Sequence, residues 1–264
     1  MPELPEAESA RRMLQRLLRG KRISSAAARP DPIVFAGTPG ARVASALTGR
    51  TVRAARRKGK HMWLELDRRP WPAFHFGMSG WFEVYDTPGQ RPDYWKLELR
   101  AGGQRIAFCD VRRFGRIRLQ HDPPGEPPIS ELGFDPLEGL PPAADLATHL
   151  ARRSAPIKAV LLDQSLFAGV GNWIADEVLF QAGISPHRLA RDLGRAEVSR
   201  LRSVMHAIVA HAVKSDGDSS RFPPGWLFHQ RWEYRGDQLT SRGESIVRET
   251  IGGRTAAWVP TRQR

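Results

Sequence analysis

The sequence predicts an α+β protein: an N-terminal helix and an antiparallel β-sandwich domain come first, and a helical domain ending in a β-hairpin follows. Three observations predict it. Apolar residues recur with helical spacing over residues 5–19, alternate with a period of two from about 21 to 119, and return to helical spacing after 143. Residues 122–150 interrupt the last two patterns with seven prolines and six acids, and with neither Lys nor Arg. An acidic, proline-rich stretch between two basic regions reads as an interdomain linker that its charge keeps off a polyanion. The whole chain is basic, with 41 Lys+Arg against 28 Asp+Glu and a net charge of +13.

Taken in order, residues 5–19 place Ala10, Leu14, Leu17 and Leu18 on one helical face and four arginines on the rest, and Gly20 ends the helix. Strands are predicted at Met62–Leu66, Ala73–Phe76, Trp81–Tyr85, Tyr94–Leu99, Arg105–Asp110 and Arg116–Leu119, separated by Gly, Pro and Asp turns. Arg50 to Lys60 holds six basic residues and no acid. Helices are predicted over Ala143–Arg153, Pro156–Asp163, Trp173–Ala182 and Gly194–Lys214, the last with Leu201, Val204, Ile208 and Ala212 inward. A short Ser/Asp/Pro-rich loop, Ser215–Gly225, leads into a tail of strands and turns. There Glu244–Thr250 and Thr255–Val259 pair across Gly252-Gly253-Arg254.

The charge points to a polyanion, most simply nucleic acid. No apolar run approaches the ~20 residues that a membrane span needs, and the acidic N-terminus is unlike a secretory signal. The single cysteine, Cys109, excludes an internal disulfide and any multi-cysteine zinc site. The eight histidines form no helical ligand pair, so no metal or other cofactor is expected. Nothing in the sequence calls for an oligomer, and a monomer is expected.

Several short stretches carry chemistry. Removal of Met1 would leave Pro2 as a secondary amine with Glu3 and Glu6 close by, and such an amine can form an iminium with an aldehyde. Pro2 and Pro5 equally suit the mere start of a helix, with acids in its first turn. Lys60 at the mouth of a strand is either a phosphate contact or a proton-moving group. Met78, between glycines, and Arg112 and Phe114, in a second turn, suit filling a gap in a base stack, unless Met78 and Phe114 belong to the core. The glycine turn at 168–172 lacks a preceding strand and a full GxGxxG, so it is not a dinucleotide site. It can present backbone N–H groups and Asn172 to a phosphate, with Lys158 in reach, or its glycines can serve close helix packing alone.

The stretches PELPEAE, RRKGKHMWLEL, HFGMSG, DVRRFG and IKAVLLDQSLFAGVGNWIADEVLF resemble, in the same order and over nearly the whole chain, the formamidopyrimidine-DNA glycosylase/endonuclease VIII family. The resemblance implies a base-excision repair DNA glycosylase with abasic-site lyase activity by β,δ-elimination, acting on double-stranded DNA that contains oxidised bases or abasic sites. Pro2 would attack C1′, Glu3 would assist ring opening and proton transfer, Glu6 would order the site, and Lys60 would be the catalytic lysine. Met78, Arg112 and Phe114 would fill the hole left by the everted nucleotide. Lys158 and Asn172 would bind phosphate from a helix–two-turn–helix element.

The chain departs from the family in having no cysteine after Cys109, whereas members commonly end in a four-cysteine zinc finger. Residues 251–260 and 219–232 resemble instead the zincless finger of plant and fungal members, in which Arg254 would contact the phosphate beside the lesion. The short Ser215–Gly225 loop implies formamidopyrimidines or oxidised pyrimidines rather than 8-oxoguanine as substrates. Val111 stands where relatives often have proline. The implied division is 1–121 catalytic β-sandwich, 122–142 linker, 143–225 helix–two-turn–helix and 226–264 zincless finger. A non-catalytic damage-binding relative is the alternative, and the joint presence of Pro2, Glu3, Glu6 and Lys60 speaks against it. The expected location is the bacterial cytoplasm, at the nucleoid, or the nucleus for a eukaryotic source.

Overall fold

The computed structural model of the 264-residue chain describes residues 2–232 and 238–264. Met1, with its expected removal, and residues 233–237 of the expected finger lie outside the described residues. The chain divides into two compact units, Met1–Glu131 and Leu132–Arg264. The boundary falls within the acidic, proline-rich stretch.

The first unit opens with helix α1, Leu4–Leu18. Its buried face carries Leu4, Ala7, Leu14 and Leu18, the i, i+3, i+4 spacing that one helical stripe requires. Polar side chains fix it to the edge strand beside it. Gln15 accepts the Ala55 N–H at 2.7 Å, and the buried Arg57 guanidinium donates to Glu8 at 3.0 Å. Two four-stranded antiparallel sheets follow. One has the order β1-β6-β7-β5, with β1 at Ile23–Ala28, β5 at Gly80–Tyr85, β6 at Trp95–Ala101 and β7 at Gln104–Asp110. The other has the order β2-β3-β4-β8, with β2 at Val52–Lys58, β3 at His61–Leu66, β4 at Trp71–His75 and β8 at Arg116–Gln120. Met62, Leu64, Phe74 and Ile117 of the second sheet share one apolar core with Leu97, Leu99, Ile106 and Phe108 of the first. This is the alternation of a sandwich, in which every second residue points inward.

Three elements of this unit are absent from the periodicity reading, one of them β2, which lies inside the basic run Arg50–Lys60. Strand β1, with the sequence ISSAAA, has too little apolar contrast to show a period. Helix α2, Gly40–Leu47, is a short alanine-containing segment whose Val43 and Leu47 are buried.

The second unit contains helices α3 (Ala143–Ala151), α4 (Ile157–Leu162), α5 (Asn172–Ala182) and α6 (Arg195–Lys214), then the hairpin β9 (Val247–Ile251) and β10 (Arg254–Trp258). Helix α5 is buried on nearly every side from Trp173 to Ala182, as befits a helix with no polar face. On α6 the inward residues are Leu201, Met205, Ile208 and Ala212; Val204 is only partly buried, and Met205, whose long side chain reaches the core, takes its expected place. The loop before the hairpin is packed rather than open. The Phe222 and Trp226 rings meet at a tilt with centres 5.0 Å apart, and both pack against Trp173 of α5.

Candidate active site and nucleic-acid interface

Glu3 is extended and begins α1, with Pro5 in the first turn, where a missing N–H leaves nothing unsatisfied. The Glu6 carboxylate accepts the Glu3 N–H at 2.9 Å, which closes the helix start. Glu3 is 1 % exposed, while Pro2 remains partly exposed. The N-terminal residues are therefore held by a rigid element. Burial, then the neighbouring Glu3 charge, raise the Glu6 carboxyl to about 7. A carboxyl in that range takes up and releases protons at neutral pH.

Lys60 lies in the tight turn between β2 and β3 and is partly exposed. Next to it His61 and His75 face each other across β3 and β4, with ring centres 4.5 Å apart. Burial first, and then the charges of Lys60 and nearby arginines, push His75 down to about 4; His61 falls to about 3 through burial, His75 and those same cations. Both rings are thus neutral around Lys60 at physiological pH. His75 Nδ1 accepts the Gly77 N–H at 3.1 Å, so this pair also leads into the turn that bears Met78.

Met78 and Phe114 are 40 % and 44 % exposed, which removes them from the core. The two turns that carry them are built on one another. Gly77 has φ +60°, and a Cβ there would lie 2.3 Å from the Phe114 carbonyl oxygen, so only glycine permits this approach. Asp110, fully buried, closes the second turn from inside. Its Oδ1 accepts the Ser79 hydroxyl at 2.6 Å and the Arg112 N–H at 3.1 Å, and its Oδ2 accepts the Gly115 N–H at 2.6 Å. The Arg112 guanidinium then lies over the Phe114 ring, 4.9 Å from its centre. Met78, Arg112 and Phe114 are therefore presented together by one hydrogen-bonded pair of turns.

In the second unit Asn172 begins α5 immediately after the glycine turn. Its Nδ2 donates to the Thr255 carbonyl of β10 at 2.8 Å, and its buried Oδ1 has no hydrogen-bond partner. The hairpin turns through Gly252 and Gly253, at φ +59° and +75°, the left-handed pair that a two-residue turn requires. Its tip rests on α4: a Cβ on Gly252 would meet the Ala159 methyl at 2.6 Å. Arg254, next in the chain, is exposed. The structure thus brings Asn172 and the base of the Arg254 strand into direct contact.

Lys158 is placed differently from the expected phosphate contact. Its side chain is fully buried, and Nζ donates to the Asn172 carbonyl at 3.0 Å and to Asp176. The same Asp176 accepts from Arg231 at 3.1 Å through Nε and again through Nη2, and from the Ala257 N–H at 3.2 Å. Lys158 accordingly braces the Asn172 turn from within. The residues that make this brace, Asp176 and Arg231, were not singled out from the sequence; Asp176 lies in the same stretch as Lys158, 18 residues on, but Arg231 is 73 residues away. Asp110 was not singled out either, although the signal was there: an aspartate that opens a turn commonly closes it.

The hairpin offers no zinc ligation by thiolates, since no cysteine follows Cys109. Among the described residues no group of three or more His, Cys, Asp or Glu is placed to hold a metal. The site does not fit the family's usual zinc. The Asp176 network and a small apolar cluster of Phe180, Leu227, Ile246, Ala257 and Val259 hold the hairpin instead.

A two-sheet unit that opens with an N-terminal helix, joined in sequence to a helical unit with a glycine turn and a hairpin, is the architecture of a class of DNA-repair glycosylases. The chain belongs to the formamidopyrimidine-DNA glycosylase family: residues 1–117 match the sequence profile of that family's N-terminal domain and residues 132–223 that of its H2TH domain. Among its relatives, the formamidopyrimidine-DNA glycosylase of Arabidopsis thaliana is 38 % identical over all of this chain and 71 % of its own length. That of Acidiphilium cryptum is 40 % identical over 88 % of this chain and 86 % of its own. The fold also matches crystal structures of the Lactococcus lactis enzyme. One, bound to DNA with an abasic site, has a TM-score of 0.86 at 26 % identity, with 99 % of both chains covered. Another, bound to DNA containing a formamidopyrimidine derived from guanine, has a TM-score of 0.86 at 27 % identity, covering 99 % of this chain and 100 % of the other.

Proposed function

We propose that this chain excises oxidised bases from double-stranded DNA, formamidopyrimidines foremost, and then cuts the strand at the abasic site through a Schiff base on Pro2. The observation that carries the reading is the start of α1, where a partly exposed Pro2 directly precedes a buried Glu3 whose N–H is held by the Glu6 carboxylate. The membership of the family and the net charge of +13 support it. No helix among the described residues is long and apolar enough to cross a membrane.

With Met1 removed, the neutral Pro2 nitrogen attacks C1′ of the everted nucleotide. The C1′–N bond breaks, the base leaves with a proton, and ring opening gives an iminium. The iminium acidifies the C2′ proton, whose removal expels the 3′ phosphate; a second elimination expels the 5′ phosphate. Glu3 assists ring opening, Glu6 orders the site and holds a proton, and Lys60 moves protons beside two neutral histidines. Met78, Arg112 and Phe114 fill the gap in the duplex. Asn172 and Arg254 bind phosphate, and Lys158 acts through Asn172. In this reading residues 1–121 carry the chemistry, 122–142 link, 143–225 bind the backbone, and 226–264 form a zincless finger. The protein works as a monomer in the compartment that holds the DNA.

Borohydride trapping on duplexes with an abasic site, a formamidopyrimidine or 8-oxoguanine tests this, with Pro2→Gly in parallel. Wild type is expected to form a covalent adduct on the first two and a weaker one on 8-oxoguanine; Pro2→Gly is expected to lose at least about 100-fold in trapping rate. Tight binding without any adduct, with a free Pro2 confirmed by mass, would leave a damage-binding protein and end the enzyme reading.

A further inference from the structure

Asp31 lies in the loop after β1, in the sequence Arg29-Pro-Asp-Pro-Ile33, and is only 6 % exposed. Its carboxylate is saturated. Oδ1 accepts the Ile33 and Val34 N–H groups, each at 3.2 Å, and Oδ2 accepts Lys96 Nζ at 2.9 Å. Both oxygens also take the Arg113 guanidinium, through Nε at 3.2 and 3.0 Å and through Nη2 at 3.0 Å.

Arg113 is the residue between Arg112 and Phe114, and it has φ +61°. An arginine gains nothing from that left-handed conformation and must be held in it from outside. The Asp31 loop also takes hold of the far side of the turn, since the Val34 carbonyl accepts the Ile117 N–H at 2.7 Å. Asp110 closes the turn through neighbours in sequence, whereas Asp31 reaches it from 82 residues away. The guanidinium–carboxylate fork fixes direction as well as distance.

We propose that Asp31 is a positioning residue for lesion recognition: by gripping Arg113 it fixes the left-handed residue that sets Arg112 and Phe114 against each other on one turn. The proposal rests on the gap-filling role given above to those two side chains. It also assigns Arg113 to the protein's own framework while the duplex is being probed. A residue that acts this way changes how a lesion is found and which opposite base is tolerated, and leaves the Pro2 chemistry alone.

The test uses the full chain with Asp31→Ala, Arg113→Gly and the double variant. Arg113→Gly drops the grip yet keeps φ +61° accessible, so it folds even where Asp31→Ala, which strands Lys96, does not. Three readouts are taken: single-turnover cleavage of formamidopyrimidine duplexes with each opposite base, fluorescence of 2-aminopurine beside the lesion, and borohydride trapping on a single-stranded abasic oligonucleotide. Each single variant is expected to lose about 10- to 100-fold on the duplexes, to flatten opposite-base discrimination and to diminish the 2-aminopurine change. Single-strand trapping stays at the wild-type rate, and the double variant is no worse than the poorer single. Wild-type discrimination in both singles, or an equal loss on single-stranded substrate, would overturn the proposal. Absence of trapping in wild type itself would instead strike the Pro2 reading, so the two failures are separate.

Discussion

Asp110 and Asp176 are both buried aspartates at the foundation of a presenting element, and they are satisfied in opposite ways. Asp110 accepts only from neutral donors, the Ser79 hydroxyl and the Arg112 and Gly115 N–H groups, two of them within five residues of it. Asp176 is paired with two cations, Lys158 and Arg231, and with one N–H from β10. The first arrangement depends on a local turn and one neighbouring strand end. The second depends on four segments of the second unit arriving together. A buried charge held by neutral dipoles tolerates the loss of one of them; a buried ion pair that loses a partner strands a charge.

The comparison predicts unequal damage. Asp176→Asn leaves Lys158 and Arg231 buried without their anion and is expected to cost about 3–5 kcal/mol of stability in urea unfolding. A loss no larger than that of Asp110→Asn would break the comparison. Next in size is a pH effect in the same unit. Glu177, beside Asp176 and fully buried, has its carboxyl raised to about 7, by burial first and by Asp176 in part. Its folded form binds a proton that the unfolded chain has already lost above pH 4.5, so the stability it contributes is fully present in acid and is lost as pH rises from about 4.5 through 7. The full effect is on the order of 3 kcal/mol. Glu177→Gln is expected to remove that slope in thermal unfolding and to leave the similar contribution of Glu6. The smallest effect is Asp110→Asn: Nδ2 cannot accept the Gly115 N–H, which costs about 1–3 kcal/mol. Lesion cleavage should then fall further than stability alone accounts for, with phosphate-dependent binding to undamaged duplex unchanged.

The same contrast explains what was legible in the sequence. The Met78 and Arg112–Phe114 turns are local, so their glycines announce them, although the closing role of Asp110 went unread. Helix α5 and the Gly252-Gly253 hairpin are likewise written in apolar runs and turn residues. Lys158 was legible only as a lysine near a phosphate-suited turn. That its ammonium faces inward depends on Asp176 and on Arg231, far along the chain, and no periodicity encodes that meeting. Asp31 was silent for the same reason: its partner Arg113 belongs to a motif, but Asp31 itself sits between two prolines in an unremarked loop. Strand β1 escaped because alanine and serine carry almost no polarity signal.

The contact between Gly252 and Ala159 ties two distant positions into one inherited unit. A side chain larger than alanine on α4 would push the hairpin off its seat, and any residue but glycine at the tip would do the same. Transplanting a metal-binding finger onto this chain, or this finger onto a metal-binding relative, therefore means carrying residue 159 along with the graft; exchanged alone, the finger would arrive without its footing.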